Sequence, residues 1–294
     1  MIVTFVIDEN YVNQLLFVLY KCIRNSKKKH NYVVFFENLE RASVSMIQDL
    51  ALSLDTEVEL RQIQDLNNSF DNGHIARSSM LRLSVPEYLG QTYMHFDVDT
   101  LPRKGWDEIA NFSPSADEVI SAVPIPWLYL EKDSAFNQAL QSMGPEYFQT
   151  GIYLLNPSGW KSDKLRDRVH LLTLKYSELG FQFSDQCILN YSIQKCYKKI
   201  PSDYNTLPGN FQFKSTRIIH FAGPNKPWKL NYLKHFIISA RHVVSARQTI
   251  TLLIQRQLFL ALSGYQNRIN HLLREFFCLF SYRISYNKFR KSNL

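Results

Sequence analysis

Apolar and polar positions alternate along this chain in two periods. Ile2-Val3-Thr4-Phe5-Val6-Ile7 is an apolar run closed by Asp8-Glu9-Asn10, a length that suits a buried strand. Similar short runs, rich in β-branched and aromatic residues, predict strands over 32–36, 57–63, 92–96, 118–123, 150–155 and 217–221. Between them, apolar residues recur at helical spacing over 12–24, 41–53, 76–84, 163–179 and 184–195. Strands that alternate with helices over the first hundred residues predict an α/β fold: a mostly parallel sheet covered on both faces. Ligands of such sheets bind beyond the carboxyl ends of the strands, so the residues that follow each strand are the ones to inspect.

Composition supports a packed globular core. The 294 residues are 45% apolar and 20% charged, with 10 Gly and 11 Pro, which excludes a disordered or fibrous chain. Cys22, Cys187, Cys196 and Cys278 lie far apart with no C-x-x-C pair. That excludes a zinc knuckle or dense disulfide framework and favours a reducing compartment. Met1 leads straight into the first strand without a basic segment or a small-residue cleavage site, so a signal peptide or N-terminal anchor is not expected. No stretch reaches the roughly 18 apolar residues that cross a bilayer.

Charge divides the chain unevenly. Of the net +8, residues 229–294 carry eleven Lys and Arg against the single acid Glu275, whereas residues 1–228 are slightly acidic. The basic residues are interleaved with apolar groups such as Leu252-Leu253-Ile254, Leu258-Phe259-Leu260 and Phe276-Phe277-Cys278-Leu279-Phe280. This mixture predicts a second region, 229–294, of basic amphipathic helices in contact with an anionic membrane surface. A helical cap packed on the main domain has the same pattern, and so does a phosphate-binding arm, although the aromatic clusters suit lipid better than a phosphate groove. Nucleic acid is not an expected partner.

Three strand ends carry candidate chemistry. Asp8-Glu9-Asn10-Tyr11 follows the first strand, either as a helix cap or as a ligand site with an aromatic ring. The segment Tyr93-Met94-His95-Phe96-Asp97-Val98-Asp99-Thr100-Leu101-Pro102 ends a strand in D-x-D. Carboxylates at i and i+2 share one side of an extended chain, where each raises the pKa of the other. A divalent cation relieves that cost, so the pair suggests Mg²⁺ or Mn²⁺ on a diphosphate. The third segment is His220-Phe221-Ala222-Gly223-Pro224-Asn225-Lys226-Pro227-Trp228. It reads either as a buried histidine before a Gly-Pro turn or as an imidazole ligand with a lysine for phosphate. Gln149, Asp185 and Gln186, in the blocks 147–156 and 183–190, offer partners for the hydroxyls of a sugar.

In this order the blocks F-V-I-D-E-N-Y, Arg82-Leu83, H-F-D-V-D-T-L, Y-F-Q-T-G-I-Y-L-L-N, S-D-Q-C-I-L-N and H-F-A-G-P-N-K-P-W resemble glycosyltransferase family 8 over residues 1–228. The resemblance implies a GT-A fold, a Rossmann-like mixed sheet with flanking helices, followed here by the basic helical tail. It implies a metal-dependent, retaining hexosyltransferase that uses a UDP-sugar and Mn²⁺ or Mg²⁺. The metal would rest on Asp97, Asp99 and His220. Asp8, Asn10 and Tyr11 would surround the uridine, with the Val6 backbone at its edge. Arg82, Val98, Gly223 and Lys226 would border the sugar diphosphate. Asp185 and Gln186 would line the transferred sugar with Gln149, Gln186 nearest the anomeric carbon.

The chain departs from the family pattern in two places. Val123-Pro124-Ile125-Pro126-Trp127 lacks the carboxylate many relatives have there, and Gln149 stands where many have Asn. Both lie on the sugar side, so galactose and glucose remain alternatives. The expected acceptor is a glycan or glycolipid such as a lipopolysaccharide or lipooligosaccharide core, modified at the cytoplasmic face of an inner membrane. The rival readings are a sugar nucleotidyltransferase and a UDP-sugar-binding protein without catalysis.

Overall fold

The computed structural model describes residues 1–63, 77–125, 147–175, 184–193, 197–223, 226–228, 277–279, 281–287 and 289. Its strands are β1 (Ile2–Ile7), β2 (Asn31–Phe36), β3 (Val58–Gln62), β4 (Tyr93–Phe96), β5 (Thr100–Pro102), β6 (Ile120–Ile125), β7 (Tyr147–Leu155), β8 (Tyr197–Lys199) and β9 (Ile218–His220). Seven of them form one sheet in the order β3-β2-β1-β4-β7-β6-β8, and β5 pairs with β9 in a separate ribbon. The β3-β2-β1-β4 half is parallel, while β7 runs antiparallel to both β4 and β6. The expected mostly parallel α/β sheet is present.

Helices α1 (Val12–Asn25), α2 (Arg41–Ser53), α3 (Arg77–Leu81), α4 (Val85–Tyr88), α5 (Pro157–Trp160), α6 (Asp163–Leu174) and α7 (Ser184–Ile193) flank the sheet. Alternation in β1 directs Val3, Phe5 and Ile7 into one core with Leu15 and Leu19 of α1, and Ile2 and Val6 toward the other. On the second face, Leu165 and Val169 of α6 and Ile188 of α7 pack with Phe35 and Tyr93. The helix expected over 76–84 is shorter, because its end tightens into a 3₁₀ turn over Arg82–Ser84 before Pro86 opens α4. The expected ends 176–179 and 194–195 lie outside the described residues.

Part of the tail packs on the body. Tyr282, Tyr286 and Phe289 surround Phe17 of α1, with ring centroids 4.9, 5.4 and 5.9 Å away. Cys278 and Leu279, from the aromatic cluster that suggested lipid, are buried, whereas Phe277 is exposed. At these positions the apolar stripe covers protein, since α1 offers an apolar face of its own. No helix among the described residues is long and apolar enough to cross a membrane.

Candidate active site

The β5–β9 ribbon brings together residues far apart in the chain. β5 begins directly after Asp99, and its antiparallel register sets Thr100 opposite His220. The Asp97 N–H donates to the Gly151 carbonyl of β7 at 2.8 Å, and the Phe221 N–H donates to the Asp99 carbonyl at 2.9 Å. Both ends of the D-x-D turn are thereby tied to neighbouring strands. Ligand atoms of Asp97, Asp99 and His220 all lie within 4.8 Å of one another. His220 Nε2 is 3.2 Å from Asp99 Oδ1 and 3.8 Å from Asp97 Oδ2.

Surrounding groups orient each member of this cluster. His220 Nδ1 lies 2.8 Å from Asn205 Oδ1, and because a carbonyl oxygen only accepts, the ring proton belongs on Nδ1. Nε2 is then the ring nitrogen that faces the aspartates. Asp97 Oδ1 receives Arg82 Nη2 at 3.0 Å and lies 3.2 Å from His95 Nε2. Its Oδ2 faces His220. Arg82 is buried; it also donates to the Thr150 carbonyl at 3.0 Å and lies 3.5 Å from Asp185 Oδ2. Lys226 holds Asp99 Oδ2 and donates to the Phe221 carbonyl at 3.1 Å.

The electrostatics keep both aspartates ionised. Burial by itself raises the pKa of Asp99, but His220 and Lys226 outweigh it and leave the carboxyl well below the usual range. For Asp97, burial is likewise overcome by Arg82 and His95, so the net shift is downward. Asp185 shifts the other way: its burial outweighs the nearby Arg82, and its pKa is raised. Asp99 Oδ1 is buried without a hydrogen bond. An orphaned carboxylate oxygen beside a second carboxylate and an oriented imidazole fits a divalent cation such as Mn²⁺ or Mg²⁺.

No sequence pattern marks Asn205 as a site residue. Its replacement in Asn205→Ala is expected to lower Mn²⁺ affinity about 10–100-fold by freeing the ring of His220. Titration of free Mn²⁺ by electron paramagnetic resonance measures this, and unchanged affinity would mean that the contact does not orient the ligand.

The other expected site residues fall into two groups. Asp8 accepts from the Asn10 N–H at 2.9 Å and caps a 3₁₀ turn, so the capping role is realised in the described geometry. The Tyr11 phenol is raised chiefly by burial; Lys226 opposes the shift, while Asp8, Asp99 and Asp97 add to it, which puts the ring in the field of the aspartate cluster. Val6 lies near the end of β1, and Val98 sits half-buried between the aspartates. Gly223 has φ 91°, a left-handed conformation, with open space where a Cβ would project.

Asp185 and Gln186 form the second group, opposite β7. The Thr150 hydroxyl donates to Asp185 Oδ2 at 3.1 Å, and the Thr150 N–H donates to Gln186 Oε1 at 3.2 Å. Arg82 links this pair to Asp97. Gln149 is buried, and its Oε1 accepts no hydrogen bond. His95 and Thr150 join the network although neither was expected as a site residue. His95 lies two residues before Asp97, on the same side of an extended chain, and that spacing is the available signal. Of the segment 123–127 that lacks a carboxylate, residues 126 and 127 lie outside the described residues.

Comparison with known proteins agrees with this architecture. A Haemophilus influenzae protein named as a candidate glycosyltransferase is 23% identical over 238 residues, which is 75% of this chain and 71% of that protein. General stress protein A of Bacillus subtilis is 21% identical over 260 residues, 76% of this chain and 86% of its own. The galactosyltransferase LgtC, solved with donor and acceptor sugar analogues, superposes with a TM-score of 0.68 at 18% identity over 79% of this chain and 90% of that one. That likeness establishes a shared GT-A fold. The profile of "Glycosyl transferase family 8" matches residues 2–232, and the chain belongs to this family of glycosyltransferases.

Proposed function

We propose that this protein transfers a hexose, galactose or glucose, from a UDP-sugar to a glycan acceptor with retention of anomeric configuration. The observation that carries the reading is the convergence of Asp97, Asp99 and His220, with Asp99 Oδ1 left without a hydrogen bond. A divalent cation on these three residues would offset negative charge on the donor diphosphate. Lys226 turns its ammonium from Asp99 toward the same phosphates and stabilises charge that grows as the sugar–phosphate bond breaks. Tyr11 stacks on the uracil, Asp8 and Asn10 bind the ribose side, and the Val6 backbone meets the base edge.

On the sugar side, Asp185, Gln186 and Gln149 bind hydroxyls, and the unsatisfied Gln149 Oε1 supports this role. Arg82 keeps the two sides in register by holding Asp97 and Asp185 at once. Asp185 is engaged by Thr150 and Arg82, and Gln186 is an uncharged amide, which favours a front-face displacement. In that step the acceptor oxygen bonds to the anomeric carbon as the phosphate oxygen leaves on the same face, and the acceptor proton passes to the departing phosphate.

The acceptor we propose is a lipopolysaccharide or lipooligosaccharide core, reached by a protein held at the anionic cytoplasmic face of a membrane by residues 229–294. Likeness to LgtC, a galactosyltransferase solved with donor and acceptor sugar analogues, supports the hexosyl reading. The test is a donor screen with Mn²⁺ that measures UDP released from each UDP-sugar, first to water and then to core glycans. UDP release from UDP-galactose or UDP-glucose is expected. Binding of UDP-sugars without release to any acceptor would replace this reading with that of a catalytically inactive binder.

A further inference from the structure

A concavity of about 360 Å³ lies at the end of the β5–β9 ribbon farthest from His220. Lys21 of α1, Arg103 and Lys104 after β5, and Lys214 and Arg217 before β9 all line it, and among the described residues no carboxylate does. Glu108 comes no closer than 3.9 Å to Arg217 and is already engaged by Lys27. No hydrogen bond or ion pair reaches Lys21, Lys104 or Lys214 among the described residues. Lys21 is half-buried, and that burial pulls its pKa below the usual lysine value. Five cationic side chains line one cleft, and half-burying Lys21 there with no ion-pair partner among the described residues is costly unless an anion occupies it.

The cleft also has an apolar side. Leu101, Ile219 and Phe211 line its floor. Phe277 also lines it and is 43% exposed, and Phe213, 66% exposed, packs against Phe277 with ring centroids 5.5 Å apart. Arg103 is fixed as a wall: it donates to the Thr216 and Phe213 carbonyls at 2.7 and 2.9 Å and lies over the rings of Phe211 and Phe213. The Thr216 hydroxyl accepts from the Gln212 N–H at 3.0 Å, which closes the short turn that carries Phe213 and Lys214. Several donors around one cleft match the oxygens of a phosphate, and exposed aromatic rings beside them match an attached apolar body.

The geometry points to this cleft as a binding site for the phosphate group of an anionic amphiphile, with Phe213 and Phe277 against its apolar stem. The site is built largely from the body of the protein and is separate from hexosyl transfer and from diffuse attraction by residues 229–294. The shared chemistry is a phosphate ester on an apolar stem, presented either by a single soluble molecule or by a lipid in a bilayer.

The full-length protein is titrated with short-chain phosphatidylglycerol below its micelle concentration, with inorganic phosphate, and with phosphatidylcholine vesicles with and without phosphatidylglycerol. Binding of the short-chain lipid is expected, and the pair Lys21→Met and Lys214→Ser should weaken it at least about tenfold. Lys21→Met alone should raise the thermal midpoint, because it removes an unpaired desolvated charge. The tail pair Arg247→Ser and Arg256→Ser should leave short-chain binding unchanged. Stronger binding to phosphatidylglycerol vesicles than to the single molecule would identify a bilayer as the source, and equal binding a soluble one. The inference is overturned if the short-chain lipid does not bind, if the Lys21 and Lys214 pair binds it equally, or if inorganic phosphate binds as tightly. UDP release measured on the same samples reports separately on the hexosyl reading.

Discussion

Asp99→Ala is expected to lower Mn²⁺-dependent UDP release by roughly 10³-fold, the loss typical of removing a preorganised electrostatic group. The substitution removes the carboxylate that faces both His220 and Lys226, leaving two potential cations and one remaining acid, Asp97. It also strands the mostly buried Lys226, and a broken buried ion pair costs about 3–5 kcal/mol. Asp99→Asn keeps the shape and an acceptor oxygen for Lys226 while removing the charge, which limits the structural loss. Both variants should lose Mn²⁺ binding, read by electron paramagnetic resonance, while Asp99→Asn keeps a cooperative thermal transition. Full activity in either folded variant would eliminate Asp99 as a metal ligand.

The same charge sets the response to acid. Because the folded-state pKa of Asp99 is depressed, its contribution to stability is present above the unfolded value of about 3.9 and is lost as pH falls toward the folded value. Wild-type protein should therefore lose stability over that range more steeply than Asp99→Asn.

Gly151→Ala should be nearly as damaging for a steric reason. An added Cβ would lie 2.1 Å from His220 Cε1 and 2.7 Å from Nδ1, so the ring or a strand must shift. β7 has little freedom there, because the Gly151 carbonyl accepts from Asp97 and the next residue pairs with Phe96. Displacing the imidazole breaks its contact with Asn205 and its alignment with Asp99. Overpacking of this kind costs about 1–3 kcal/mol, visible in urea denaturation. Mn²⁺ affinity should fall further than in Asn205→Ala. Gly90→Ala is the control, since nothing lies within 4 Å of the new Cβ there. Unchanged stability and unchanged Mn²⁺ affinity in Gly151→Ala would show that His220 can move freely.

Parts of this design are legible in the amino-acid sequence alone. β1, β2 and α2 match their expected ranges within one residue, because β1 and β2 are unbroken runs of at least five strand-favouring residues and α2 repeats its apolar positions at helical spacing. β5 and β8 escape that pattern, being three residues each, and Thr100-Leu101-Pro102 ends in a residue that ordinarily discourages a strand. The D-x-D motif is readable because its two carboxylates are local. Asn205 is not, since nothing in the neighbourhood of a lone Asn announces a histidine fifteen residues away in sequence that it will orient.

Local order along the chain thus determined most of the strands and helices, that they make an α/β sheet, where the candidate D-x-D pair and imidazole stand in the chain, and that positive charge gathers in the last 66 residues. These follow from side-chain periodicity and composition, which act over a few neighbouring residues. Only the tertiary structure decided that a three-residue ribbon sets His220 against Asp99, that Arg82 spans Asp97 and Asp185, and that Tyr282 and Phe289 lie on α1. Those relations depend on register and packing between distant segments, where one residue of slip turns a side chain to the opposite face.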